Sequence, residues 1–172
     1  MEIDSSRVAA IRFFADLPED ELAAIAGVAS EVEVPSGQAL AAEGGIGHSL
    51  FAIESGTADV VIDGATVRTL GPGDVVGEMA VLASPPDPFQ PPEVAEGGLR
   101  TASVVATSPM RLITMFKRDV WDLDRQAPFA TQRLRAVLGE RRAQNAQRTP
   151  AEQRGEDEQG GSPDSDPLAG SA

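Results

Sequence analysis

Apolar positions in the first thirty residues recur at helical spacing. Val8, Ile11 and Phe14 fall three apart on one face, behind Ser5 and Ser6, which can cap the segment. Leu17-Pro18 breaks it, and Asp16 is placed to cap a second helix with Pro18 in its first turn. Glu19, Asp20 and Glu21 then sit where the helix dipole favours acids, and Leu22, Ile25 and Ala26 form the apolar stripe before Gly27 weakens the end. Residues 1–30 are therefore expected to be N-terminal helices.

From 31 to 116 the period changes to that of short β segments. Glu31–Val34, Gln38–Ala42, Ser49–Ile53, Thr57–Ile62, Thr66–Leu70, Thr101–Ala106 and Arg111–Phe116 are rich in β-branched residues and are separated by glycine-rich turns. Asp63-Gly64 between two apolar runs marks a two-residue hairpin, whose central residues both need positive φ. Strands at this spacing predict a mainly β fold, an antiparallel jelly roll (a double-stranded β-helix) flanked by helices. Within it, residues 84–99 carry Pro85, Pro86, Pro88, Pro91, Pro92, Gly97 and Gly98 and predict a long surface loop. Helix returns over 117–147, with Val120, Trp121 and Leu123 and then Leu134, Val137 and Leu138 after Pro128. Residues 148–172 are rich in Gly, Ser, Pro, Gln and acids, a composition that predicts disorder.

Charge narrows the function classes. The 172 residues carry a formal net charge of −13 and a sequence pI near 4.4, the wrong sign for a broad nucleic-acid-binding surface. A small anionic ligand would need a dedicated cation in a pocket. The arginines of the closing helices (Arg125, Arg133, Arg135, Arg141, Arg142, Arg148) read as a solvated helix face. No helix-turn-helix pattern follows them, and no nucleic-acid partner is expected. Leu134, Val137 and Leu138 are instead candidates for pairing with a second copy or for capping a ligand.

Inventory argues against catalysis. The chain has no cysteine, and its one histidine, His48, reads as an exposed loop residue, too little for a metal site. Neither a nucleophile elbow nor a phosphate-binding loop with its lysine is present. No catalytic residue, metal or cofactor is expected. The acidic opening and the lack of a long apolar run predict a cytoplasmic protein without membrane insertion.

The informative stretch is Leu70-Gly-Pro-Gly-Asp-Val-Val-Gly-Glu-Met-Ala-Val-Leu82, with Leu99-Arg-Thr-Ala-Ser-Val-Val105 after the loop. A strand end, Gly77 and a short helix beginning near Glu78 would present backbone N–H groups to an anion. A carboxylate there is repulsive unless it accepts hydrogen bonds from ligand hydroxyls, as a ribose would supply. Arg100, expected to open a strand after the loop, would supply a bidentate cation. Together these describe a sugar-phosphate pocket.

On these residues the sequence resembles the cyclic-nucleotide-binding domain shared by catabolite activator proteins, cyclic-nucleotide-dependent kinases and gated channels. The resemblance covers roughly residues 10–145. It runs through Phe14–Leu22, Pro35–Gly37, Glu43-Gly44, Ser49–Gly56, Gly73-Asp74, Gly77–Leu82, Arg100–Val104 and Trp121–Leu123. It implies that Glu78 binds the ribose 2′-hydroxyl and Arg100 the cyclic phosphate. Backbone groups of Gly77, Glu78, Met79 and Ala80 would join them, and Thr101 would touch the phosphate or the base. Cyclic AMP or cyclic GMP would be the ligand, and a protein partner, or self-association through the C-terminal helix, would read the state. Two features depart from the family: residues 79–99 separate the glutamate from the arginine where the usual connection is much shorter, and Leu99 stands where proline is typical. They leave open a second reading, a ligand-independent interaction module on the same fold.

Overall fold

The computed structural model describes residues 3–83 and 98–152. The chain divides into two units, Met1–Leu138 and Gly139–Ala172, and the barrel belongs to the first, with every described helix but the end of the last. Helix α1 (Ser5–Ala10), a 3-10 turn (Arg12–Phe14) and helix α2 (Glu19–Val28) lead into the strands. Asp4, rather than Ser5 or Ser6, caps α1 by accepting from the Arg7 N–H at 2.9 Å, and Ser6 supports that carboxylate at 2.6 Å. Asp16 does not cap α2. Pro18 is still extended (φ −57, ψ 148), so the helix starts one residue after it, too far on for Asp16 to reach.

Ten strands follow among the described residues: β1 (Ser30–Val34), β2 (Ala39–Ala41), β3 (Ile46–Gly47), β4 (Ser49–Ser55), β5 (Ala58–Ile62), β6 (Ala65–Leu70), β7 (Val75–Val76), β8 (Gly98–Leu99), β9 (Ser103–Ala106) and β10 (Met110–Phe116). One sheet runs β1-β10-β4-β7 and the other β2-β9-β5-β6, with β3 and β8 as a separate ribbon. Every pairing is antiparallel, as a jelly roll requires. The β5–β6 hairpin turns on Asp63 and Gly64, at φ 51 and φ 77, the geometry its sequence demands.

The first sheet is buried on both faces. Along β4, Leu50 and Ala52 point toward the helices while Ile53 points between the sheets; along β10, Ile113 and Met115 face the helices and Met110 and Leu112 the inter-sheet core. Alternation therefore separates two cores on the two sides of one sheet. The helix-side core gathers Val8, Phe14, Leu22, Ile25, Val81, Val120 and Leu123; Val34, Val60, Leu70 and Val104 complete the other.

Helix α3 (Glu78–Leu82) interrupts the strands, and α4 (Lys117–Gln126) and α5 (Pro128–Glu152) follow them. Leu134 and Leu138, considered above for a second copy or a ligand, are buried in the helix-side core of their own domain, 2% and 8% exposed. The predicted loop 84–99 is shorter at its end, because Gly98-Leu99 pairs with Ile46-Gly47 as β8; the rest of that loop lies outside the described residues. Helix extends beyond 147 to Glu152, and the remainder of the tail, expected to be disordered, also lies outside them.

Arg7 ties α1 to the first sheet, donating Nε and Nη2 to Glu54 at 3.0 and 2.7 Å and Nη2 to Glu31 at 2.5 Å. The hydrogen bond from Arg7 holds the Glu31 carboxyl below its usual 4.5, against a smaller opposing effect of desolvation. Unfolded chains therefore bind more protons than folded ones just below pH 4.5, and stability falls as pH drops through the lowered native value. Arg7→Ala should make the acid limb of a melting-temperature profile shallower. It should not flatten the limb, because Asp124 is lowered independently by Arg135. Circular dichroism melts between about pH 3 and 6 check this; an unchanged slope would detach Glu31 from the effect.

Candidate functional site

Strand β7 sits at the edge of the first sheet, and the chain leaves it through Gly77 at φ 100, a left-handed conformation that turns strand into helix within one residue. Glu78 is the first residue of α3 and is only 1% exposed. Ala80 and Val81 on the same short helix are buried, and Met79 is half-buried. Five residues make too short a helix to persist alone, so packing must fix its position.

Arg100 reaches the same place from the other side. It does not open a strand, as expected from sequence; it lies between β8 and β9, and β9 begins only at Ser103. Its backbone is pinned to the glycine-rich turn, with Arg100 N–H donating to Gly45 O at 2.7 Å and Gly44 N–H to Arg100 O at 2.8 Å. Its Nη2 donates to Ser49 O at 3.0 Å, and the guanidinium carbon lies 5.8 Å from the Phe51 ring centroid. A guanidinium has five N–H donors, so this backbone contact uses a small part of its capacity.

Two glycines make the cradle. A Cβ at Gly77 would stand 2.7 Å from Arg100 Nη1 and 2.5 Å from Ser49 O. At Gly47 a Cβ would strike the Arg100 guanidinium and come within 2.5 Å of the Ala80 Cβ. Only the missing side chains let the guanidinium lie between β3 and α3.

Burial pushes the Arg100 guanidinium below its ordinary value, and the negative charge of Glu78 opposes that shift. Even lowered, an arginine remains protonated at neutral pH. Glu78 and Arg100, separated in sequence by residues 79–99, are thus electrostatic neighbours. Thr101 is exposed beside them, with its hydroxyl donating to Met79 Sδ at 3.4 Å. All six residues singled out from sequence, Gly77, Glu78, Met79, Ala80, Arg100 and Thr101, belong to this one assembly. His48 is exposed, as expected. Sequence reasoning missed Gly47, Ser49 and Phe51 as supports for Arg100. Gly47 read as one more turn residue, and nothing local in the sequence shows that its missing side chain makes room for a guanidinium.

A buried carboxylate, a guanidinium and a helix start at a strand edge suit a ligand that brings an anionic group and hydroxyls together. Residues 31–126 match the family model of the cyclic nucleotide-binding domain. The cAMP-dependent protein kinase regulatory subunit of Yarrowia lipolytica is 30% identical over 112 residues, 65% of this chain and 24% of that protein. The cyclic AMP receptor protein of Thermus thermophilus is 30% identical over 112 residues, 62% of this chain and 46% of that one. The chain thus spans less than half the length of these curated relatives. Among solved structures, the catabolite activator protein of Thermus thermophilus superposes with a TM-score of 0.65 at 25% identity, over 81% of this chain and 62% of its own. The regulatory domain of Toxoplasma gondii PKA, crystallised with cAMP, shares the fold with a TM-score of 0.62 at 15% identity, over 81% and 48%. No described helix is long and apolar enough to cross a membrane. The family match runs from the first strand of the barrel through α4 and encloses both Glu78 and Arg100; the chain belongs to the cyclic nucleotide-binding domain family.

Proposed function

We propose that this domain is a sensor of cyclic AMP or cyclic GMP without catalytic activity of its own, signalling through its C-terminal helices to a protein partner. The observation that carries the reading is Arg100, half-buried against α3 beside a buried Glu78 in a protein of net charge −13. In this reading the guanidinium takes the cyclic phosphate and Glu78 accepts from the ribose 2′-hydroxyl. Backbone groups of Gly77 to Ala80 complete the phosphate contacts, and Thr101 borders the phosphate or the base. The names of the relatives support cyclic AMP as the first ligand to try. The cytoplasm, where such nucleotides act as signals, is the proposed compartment, and no metal or cofactor is needed.

The long connection between Glu78 and Arg100, and Leu99 before the arginine, favour the second reading, a module that acts without ligand. A thermal-shift titration separates the two. Ligand at about 100 times Kd stabilises a folded state by roughly 2.7 kcal/mol, which for a domain of this size raises the melting temperature by roughly 5–10 °C. A shift of that order with cyclic AMP or cyclic GMP supports the sensor. No shift with either at millimolar concentration would favour the ligand-independent module.

A further inference from the structure

The guanidinium of Arg100 is half-buried, and among the described residues it forms no ion pair. Two neutral groups of β4 hold it instead. Nη2 donates to the Ser49 carbonyl at 3.0 Å, beside the point where β7 ends and the chain turns away at Gly77. Two residues along the same strand, the Phe51 ring centroid lies 5.8 Å from Cζ, within the reach of a cation–π contact. That ring is fixed by the fold. Phe51 stands opposite Thr114 on β10 and Val76 on β7, and its side chain packs against the inter-sheet core. The guanidinium is therefore the partner that settles on the ring. One carbonyl and one ring leave most of its N–H donors uncommitted. A carboxylate in the same place would take two of them, and an incoming anion would have to displace it.

We infer that Phe51 is a positioning residue of the ligand site: its ring holds Arg100 ready for an anionic group without an ion pair that the anion would have to break. The inference rests on the proposed binding of a cyclic nucleotide by Glu78 and Arg100. Its physical basis is the entropy of a long side chain. An unheld arginine samples many rotamers, and a ligand that needs one of them binds in proportion to the fraction that stands ready. Gly47 and Gly77 clear the space for the guanidinium, and Phe51 keeps it there.

The test has one readout without ligand and one with it, both on the full chain. The Arg100 Nε–H resonance is identified by its loss in Arg100→Lys, and its position is compared in the parent and in Phe51→Leu, which keeps an apolar side chain and removes the ring. Calorimetry with cyclic AMP and cyclic GMP then measures Phe51→Leu in the parent and in the Arg100→Lys background. Lysine keeps the charge and gives up the planar fork that lies on a ring. The expected result is a resonance displaced by loss of the ring, and about three- to tenfold weaker binding of both nucleotides in the parent background. On Arg100→Lys the same change should cost less than about twofold, because the two residues act together. An unmoved resonance, or equal losses in the two backgrounds, overturns the inference and leaves the proposed function standing. Absence of binding heat in the parent overturns the proposed function and this inference with it. If the lysine variants bind too weakly to titrate, the resonance decides alone. If Phe51→Leu does not fold, the through-space contact between the Nε–H and the Phe51 ring protons of the parent decides, and its absence overturns the inference.

Discussion

Arg100→Ala should fold like the parent and bind every cyclic nucleotide about 30-fold to several thousand-fold more weakly. The range is that of truncating one partner of a buried, charge-assisted pair. The loss should be similar for cyclic AMP and cyclic GMP, because the phosphate is common to both. Folding should survive, since the backbone bonds that pin residue 100 to Gly44 and Gly45 do not involve the side chain. Glu78→Gln, measured alongside, should weaken binding of the ribonucleotides and leave 2′-deoxy analogues nearly untouched, because they lack the hydroxyl that Glu78 is proposed to hold. Thr101→Ala should alter the ratio of the two nucleotides more than the overall affinity. Isothermal titration of the three variants decides. A folded Arg100→Ala that binds as tightly as the parent would remove this arginine from the site.

The second large effect concerns stability and lies away from the pocket. Glu21 is a charged residue of α2, 2% exposed, and its two carboxylate oxygens accept from the Phe129 and Ala130 N–H groups at 3.1 and 3.0 Å. Those N–H groups belong to the first turn of α5, so Glu21 caps a helix that starts more than a hundred residues later in the chain. Glu21→Ala should lower stability by about 2–3 kcal/mol, the cost of leaving buried donors without their charged acceptor. That corresponds to a fall in melting temperature of roughly 5–10 °C. Glu21→Gln, which keeps one acceptor, should recover part of the loss. Thermal melts of the two variants check the order; a Glu21→Ala protein that melts with the parent would show that the Phe129 and Ala130 N–H groups do not depend on this acceptor.

These two residues mark what could be read from the chain alone. The jelly roll was legible because its evidence is local: β-branched runs at Thr57–Ile62 and Thr66–Leu70, and between them an Asp-Gly turn whose central residues need positive φ. The beginning of α3 was legible for the same reason, since Gly77-Glu78 after a strand is a change of period at a residue free to turn. The sequence presents Glu21 as an acid favoured by its own helix dipole, and the role it has in the fold is to cap another helix. Nothing in Glu-Asp-Glu-Leu reports a partner at 129. Strands β3, β7 and β8 have two residues each, too few for any period, and they form only because a neighbouring backbone offers the pairing. The sequence places Arg100 at the opening of a strand after the loop. In the fold it stands in the gap before β9, the position that lets its side chain turn toward α3.

The strand order of the first sheet has a consequence for how the protein comes into being. β10 lies between β1 and β4, so the two early strands do not pair with each other and wait for a partner made some 60 to 80 residues later. During synthesis neither apolar face of that sheet can close until Met110–Phe116 has left the ribosome, and α4 and α5 follow still later. Nascent chains that stop short of β10 carry unpaired edges and uncovered Leu50, Ala52 and Ile53, the surfaces on which chaperones and aggregates compete. Non-local pairing of this kind places folding in the millisecond-to-second range characteristic of β sandwiches rather than in the microseconds of helical bundles. A stop codon or frameshift before residue 110 would therefore yield a chain for degradation and not a smaller working domain.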